Sequence, residues 1–252
     1  MIYHESKQEI RDLNTKELIE ATLAVHPAYG HKRIALELGI NKKRVLRVMK
    51  KYAIKPYRRK KKPWKKAVSS ELVHPNLLKN IDCIESYRIW CMDFTYLWYQ
   101  GRFIYVATVL DIYTREILGV SIGTRHTTSF VIEALVVALM DNPKPDIVHD
   151  DQGSEFTSHQ FNDFCDSCGI ALSMSDKGSP WQNGYQESFY DKFKVDLGDP
   201  SRFESLGELI YCIHQTIHYY NHDRIHTKLK MPPKKFAALN QRSYTTPYSK
   251  DV

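Results

Sequence analysis

The chain has 252 residues, 42% hydrophobic and 12% aromatic, enough to bury a sizeable core, and no stretch approaches the roughly 20 apolar residues of a membrane helix. The opening MIYHESKQEI lacks the apolar core of a secretory signal, and cysteines at 83, 91, 165, 168 and 212 form a sparse, odd set, so the chain reads as a soluble protein of a reducing cytoplasm. The net charge of +7 is unevenly held: residues 30–66 contain sixteen Lys/Arg against Glu37 alone, a local +15 that leaves −8 for the remainder, the footprint of a basic module for a phosphate backbone.

Residues 5–56 read as helical. The stretch KQEIRDLNTKELIEATLAV carries Ile10, Leu13, Leu18, Ile19 and Leu23 at a spacing nearer 3.6 than 2, and HPAYG ends it with Pro27 and Gly30. A short helix over residues 31–38, a turn at Gly39 and a basic helix over 42–52 with Asn41 as its N-cap form a helix-turn-helix pattern. Val45, Val48 and Met49 then face the core, while Lys42, Lys43, Arg44, Arg47, Lys50 and Lys51 lie toward DNA. Residues 56–69, PYRRKKKPWKKAVS, with Arg58, Arg59 and Lys60, read as an extended basic linker able to follow phosphates.

From Arg88 the pattern changes. RIWCMDFTYLWY, RFIYVATVLDIY and REILGVSIG are β-rich runs separated by turns at Gln100–Gly101 and near Thr114. A helix (TTSFVIEALVVALMD), a strand (DIVHDD), a helix (SHQFNDFCDSCG), a strand (IALSMS) and two helices (WQNGYQESFYDKFKVDL and LGELIYCIHQTIHYYNH) follow. Three antiparallel strands followed by alternating helix and strand predict an α/β class, a mixed sheet flanked by helices.

Three carboxylates stand out against this pattern. Asp93 sits inside WCMDFTYLWY, where a charge is costly unless it is paired or bound to a metal. Asp150 and Asp151 close the strand IVHDD, so one of them can leave its end toward the same point, and Glu187 lies one turn into a helix that Phe189 and Phe193 pack down. Each alone is more simply a capping or surface acid. Converging acids are what a pair of divalent cations requires for phosphoryl transfer between DNA oxygens.

At these residues the sequence resembles the DDE transposases of IS-three-type insertion sequences, specifically their second-reading-frame product, and is similar more distantly to retroviral integrases. The resemblance runs from about His26 to Phe236 through HPAYGHKRI, WCMDFTYL, HDDQGSEFTS, SMSDKGSPWQNGYQESF and YNHDRIHTKL. It implies a ribonuclease H-like core with Asp93, Asp151 and Glu187 as catalytic and metal-holding residues, and makes Asp150 a neighbour. Mg²⁺ (with Mn²⁺ as substitute), two ions per site, is the implied cofactor. The implied partners are the DNA of element ends and target, an upstream-frame helix-turn-helix and leucine-zipper protein or fusion, and further copies of the chain on DNA, in a bacterial cytoplasm at the nucleoid. KMPPKKF, after Leu229, departs slightly from the family pattern. The expected organisation is a helix-turn-helix domain over 1–56, a basic linker over 57–80, the catalytic core over 81–240 and a tail over 241–252.

Other residues carry weaker signals. Asp111 is either an added ligand or, preferably, a strand-end turn residue paired with Arg115; His149 either orients the acids beside it or is structural. Gly153 and Ser154 suit a turn with phosphate-facing amides, Lys177 and Gly178 a DNA-contacting flap, and Trp181, Gln182 and Asn183 contacts to bases or sugars. Cys165 and Cys168 share a helix face with Phe161 and Phe164, which favours buried thiols over half a zinc site. His214, His218 and His222 have metal-compatible spacing without carboxylate or thiol support. Arg224 and His226, inside the family signature, are supports or phosphate contacts beside the site. Three other readings compete: a retroelement integrase, which would bring a zinc module; a non-catalytic DNA-binding regulator, which would not need three acids; and a plain ribonuclease H, which would lack the basic module.

Overall fold

The computed structural model describes residues 7–57, 72–81, 85–177 and 179–240. It begins with three helices, α1 (Lys7–Val25), α2 (His31–Glu37) and α3 (Lys42–Lys51). Asn41 caps α3 by accepting from the Lys43 amide at 2.9 Å, and Val45, Val48 and Met49 are buried as expected. The buried stripe of α1 differs from the predicted one. Ile19 is buried, but Ile10, Leu13 and Leu18 are exposed, while Asp12, Thr15 and Thr22 point inward. The cause is polar partnership: Asp12 takes a bidentate bond from Arg47 (2.7 and 2.5 Å) and another from Lys51, and Thr15 accepts from Arg44 at 2.6 Å.

The core of the remainder is a five-stranded mixed sheet ordered β3-β2-β1-β4-β5, from β1 (Ile89–Tyr99), β2 (Arg102–Asp111), β3 (Ile117–Gly123), β4 (Ile147–Asp150) and β5 (Ala171–Met174). β1, β2 and β3 pair antiparallel; β4 pairs parallel with β1 and with β5. The β1–β2 hairpin turns at Gln100 and Gly101, both at positive φ (42° and 81°), the backbone that a two-residue turn matched to strand twist requires.

The period-2 pattern of β1 supplies both faces of the sheet. Trp90 and Met92 join a cluster covered by α4 (Thr128–Asp141) and α5 (His159–Ser167), whereas Ile89, Cys91, Leu97 and Tyr99 join one covered by α6 (Gly184–Leu197) and α7 (Leu206–His222). Thr127, Ser158 and Ser205 cap α4, α5 and α7. α4 lies so close to β3 that a Cβ on Gly119 would stand 2.2 Å from the Ala134 carbonyl oxygen, which only glycine permits. A last helix, α8 (Pro233–Asn240), lies beyond the elements predicted, with a proline at its first position.

The N-terminal helices do not stand apart from this core. The Tyr29 hydroxyl accepts from the Ile225 amide at 2.8 Å, Arg33 Nε donates to the Ile225 carbonyl at 2.8 Å, and His26 Nδ1 lies 2.6 Å from the Tyr219 hydroxyl. HPAYGHKR thus packs against the segment that leaves α7, where a tethered module was expected.

Candidate active site

β1 and β4 pair only from Ile89↔Ile147 to Cys91↔His149 and then diverge. Asp93 on β1 and Asp151, just past the end of β4, lie at this split, the kind of crevice at strand carboxyl ends where α/β sheets present functional groups. By register Asp93 falls on the α6 side of the sheet, with Cys91 and Leu97.

Beside this split, α6 is bonded to the backbone of β1 and β2. Gln186, fully buried, donates to the carbonyls of Cys91 (2.7 Å) and Thr108 (3.1 Å) and accepts from the Thr108 hydroxyl (3.0 Å). The Tyr190 hydroxyl donates to the Asp93 carbonyl at 2.6 Å, and Asn183 Nδ2 reaches the Met92 carbonyl at 3.4 Å. Gln186 and Tyr190 are tolerable in the core because they are satisfied, and their bonds set the rotation of α6, whereas Asn183 Oδ1 has no partner. Glu187 then stands exposed on its first turn.

The electrostatics are those of crowded acids. Burial, then the neighbouring Asp151 and Glu187 charges, push the Asp93 carboxyl well above the usual range, against the Phe94 amide bonded to its Oδ1 at 2.7 Å. Asp151 is raised by burial, opposed by the Gly153 amide at 2.9 Å, and Glu187 is raised by burial and then by Asp191. Among the described residues no group of three His, Cys, Asp or Glu stands in ligating range of a single ion. As a donor set, three carboxylates fit a hard divalent cation, which would favour their charged forms against the burial, and for Asp93 also the neighbouring acids, that now raise their pKa values.

Asp150 is the contrasting neighbour. It is fully buried, neither carboxyl oxygen has a hydrogen-bond partner, and burial followed by the Asp151 and Asp93 charges drives its pKa well up. His149 is structural: its nitrogens bond Ser173 (2.9 Å) and Ser175 (3.2 Å) across β5, and burial pushes its pKa down to about 4.

Several expected contacts prove to be internal. Asp111 is the turn residue of the β2–β3 connection, accepting from the amides of Tyr87 and Thr114 and from the Thr114 hydroxyl. It does not pair with Arg115, whose guanidinium instead lies 4.0 Å over the Tyr185 ring. Gln182 braces Asn76 and Asp176 instead of facing outward, and Asn183 is buried; nothing is described of the Trp181 side chain or of Gly178. The Gly153 amide donates to Asp151, so it is not an open phosphate donor, and the Ser154 hydroxyl donates to Glu155. Cys165 is buried with Phe161, with Phe164 and Cys168 packed beside them, and His218 and His222 stack 4.0 Å apart on an exposed face.

Of the candidate DNA contacts, Lys42, Lys43, Lys50 and Lys177 are exposed. Arg44 and Arg47 are bonded to the polar stripe of α1, although Arg47 remains exposed. Arg224 is 2% exposed and ion-paired with Asp196, which withdraws it from a direct phosphate role, and His226 is half-buried. Arg58, Arg59 and Lys60 lie outside the described residues. Sequence reasoning missed Gln186, Tyr190 and Thr108, whose only signal was a polar pair on the buried face of an aromatic-rich helix.

Two family models, both described as Integrase core domain, match residues 85–180 and 168–233. The chain is 32% identical over 255 residues to the transposase for insertion sequence element IS904 of Lactococcus lactis subsp. lactis, covering 93% of this chain and 98% of that one. Among solved structures, the integrase of the simian T-cell lymphotropic virus intasome, in complex with a PP2A regulatory subunit, matches 93% of this chain and 79% of its own at 17% identity and TM-score 0.57. The HTLV-2 integrase catalytic core in complex with magnesium matches 60% of this chain and 97% of its own at 20% identity and TM-score 0.51. The sheet with its flanking helices therefore has the ribonuclease H-like integrase fold, and the chain belongs to the insertion-sequence transposases with an integrase core.

Proposed function

We propose that the chain cuts DNA at the ends of an IS-three-type element and joins the freed 3′-OH to a second phosphodiester, with Asp93, Asp151 and Glu187 as the catalytic carboxylates. The observation that supports this reading is the split between β1 and β4, where Asp93 and the end of β4 at Asp151 lie, with Gln186 and Tyr190 bonding the helix of Glu187 to β1. Mg²⁺, or Mn²⁺ in its place, supplied as two ions to the three carboxylates, would activate the attacking oxygen and stabilise the leaving one. The protein's own part is positioning: Phe94 and Gly153 amides orient Asp93 and Asp151 through one oxygen each, leaving the second oxygen of each free to coordinate.

Delivery of DNA falls to the exposed lysines Lys42, Lys43 and Lys50 of α3, with Lys177 in the loop before the helix of Glu187 and the basic residues 58–60 following the backbone. In this reading residues 1–56 are the DNA-binding domain, 57–80 the basic linker, 81–240 the catalytic core and 241–252 the tail. The working form is an oligomer on DNA in the bacterial cytoplasm, acting with the upstream-frame product, because two ends must be held together while each site acts on one phosphate.

The test is incubation of the protein, with its upstream partner, with labelled element-end DNA and Mg²⁺ or Mn²⁺. Nicked and joined strands are expected, and lost when Asp93, Asp151 or Glu187 becomes Asn or Gln with DNA binding retained. Strand transfer undiminished in any of the three variants overturns the assignment.

A further inference from the structure

A cavity of about 630 Å³ opens behind α6 and not at the carboxylates. Tyr185, Ser188, Phe189 and Lys192 line it, at i, i+3, i+4 and i+7 on one helix face, so Glu187 projects from nearly the opposite face. Cations reach it from five places in the chain: Arg33 on α2, Lys79 before β1, Arg115 between β2 and β3, Lys192 on α6, and Arg224 and Lys228 after α7. Asp176 and Asp196 compensate Lys79 and Arg224. None of the described lining residues is acidic.

Arg115 is the telling residue. It is 7% exposed, and its Nε and Nη1 have no hydrogen-bond partner, a costly state for a buried guanidinium. Its backbone sits at φ 66°, in the left-handed region where a residue with a side chain is strained. Strain and unsatisfied donors at one arginine mark a position built for a group that arrives from outside. Nδ1 of His226, which also lines the cavity, is likewise buried without a partner. Burial, then Arg115, Arg33, Arg224 and Lys192, push this imidazole down to about 4, so it is neutral at physiological pH and keeps an N–H to donate.

We infer that this cavity is a second anion site, which takes a phosphate-bearing ligand through the Arg115 fork and the His226 imidazole, with Lys192 and Lys228 at its rim. Convergent cations around the buried, unpartnered Arg115 donors, with no acid among the described lining residues, suit a multiply charged phosphate better than one carboxylate. The Tyr185 and Phe189 rings beside them give a sugar or base an apolar surface to lie on, the combination used for single strands. The ligand is a phosphodiester strand or a small phosphate compound, chemistry common to both. The site is separate from the carboxylates and does not depend on their role.

The experiment titrates the full chain calorimetrically in EDTA, so that no metal reaches the carboxylates, with pyrophosphate and with a single-stranded thymidine tetranucleotide. Saturable binding of at least one probe is expected, weakened at least tenfold in Arg115→Gln. The rim double variant Lys192→Glu/Lys228→Glu, which leaves the buried residues in place, keeps the test sound if Arg115→Gln fails to fold. Lys42→Ala/Lys43→Ala should bind pyrophosphate as the parent does. A tetranucleotide that binds more tightly than pyrophosphate assigns the site to a DNA strand, and the reverse order assigns it to a small phosphate ligand. Absence of binding by both probes, or equal binding by the parent and the rim variant, overturns the inference.

Discussion

The Tyr190 hydroxyl donates to the Asp93 backbone carbonyl at 2.6 Å and lies 2.8 Å from the Thr108 hydroxyl, so the helix bearing one proposed catalytic acid is bonded to the backbone of another. Tyr190→Phe should lower strand-transfer kcat by roughly tenfold or more, since about 1 Å of misplacement costs on the order of 10²-fold. It should cost about 1 kcal/mol of stability and leave DNA affinity unchanged. Single-turnover kinetics alongside a binding titration separate the two effects.

Asp150 and Asp151 are adjacent but not equivalent. Asp150→Asn replaces a fully buried carboxyl whose pKa burial drives well up, so activity should survive and stability at pH 7 to 8 should hold or rise. Asp151→Asn should abolish cleavage. A strand-cleavage assay on the two variants decides which acid the chemistry uses, and equal loss in both would remove the distinction.

The raised pKa values of Asp93 and Asp151 have a definite sign. A carboxyl whose folded pKa exceeds its unfolded one stabilises the fold below the unfolded pKa, and that contribution is lost as pH rises through the folded pKa. Without metal, these two groups should therefore weaken the fold as pH climbs from mild acid to neutral. Saturating Mg²⁺ or Mn²⁺ should restore stability at pH 7, by about 2.7 kcal/mol at a hundred times the dissociation constant. Thermal melts with and without metal measure this, and Asp93→Asn should abolish the metal-dependent shift.

Asp12 is held by Arg47 and Lys51, whose hydrogen bonds keep its carboxyl far below the usual range. Asp12→Asn should lower the melting temperature by loosening α1 from α3. It also frees two cations, so nonspecific DNA binding should tighten and its log–log salt slope should steepen by up to about 1.8, at roughly 0.9 per phosphate contact. A salt titration of both proteins checks it; an unchanged slope would place Arg47 and Lys51 away from DNA.

What the chain reveals before folding depends on where each residue's partner lies. α7 was legible over its full length because its apolar period is strong and Ser205 with Glu208 marks its start. The three acids were legible because charges inside apolar strands and motif spacing are local signals. α1 was visible as a helix, but its face was misread: Asp12 and Thr15 are buried by cations some thirty residues away in α3, and no periodicity scan contains that pairing. Gln186 and Tyr190 were invisible for a related reason. They serve backbone carbonyls of β1 and β2, and that meeting of helix and strands exists only in three dimensions. α8 went unseen because eight residues, with the apolar ones bunched at 236–239, are too few to give a period to find.

The seam between Tyr29, Arg33 and Ile225 bears on how this protein can be taken apart. The same two residues that open the basic module also saturate the amide and carbonyl of Ile225. A core trimmed of its first fifty-odd residues would surrender those bonds to water and lay bare the Tyr219 hydroxyl that His26 now meets. Such a fragment is a wounded protein and not a smaller working one. Its failure in a deletion series would report a torn seam as readily as a missing DNA contact, whereas charge reversals on the outer face of α3 leave the seam closed.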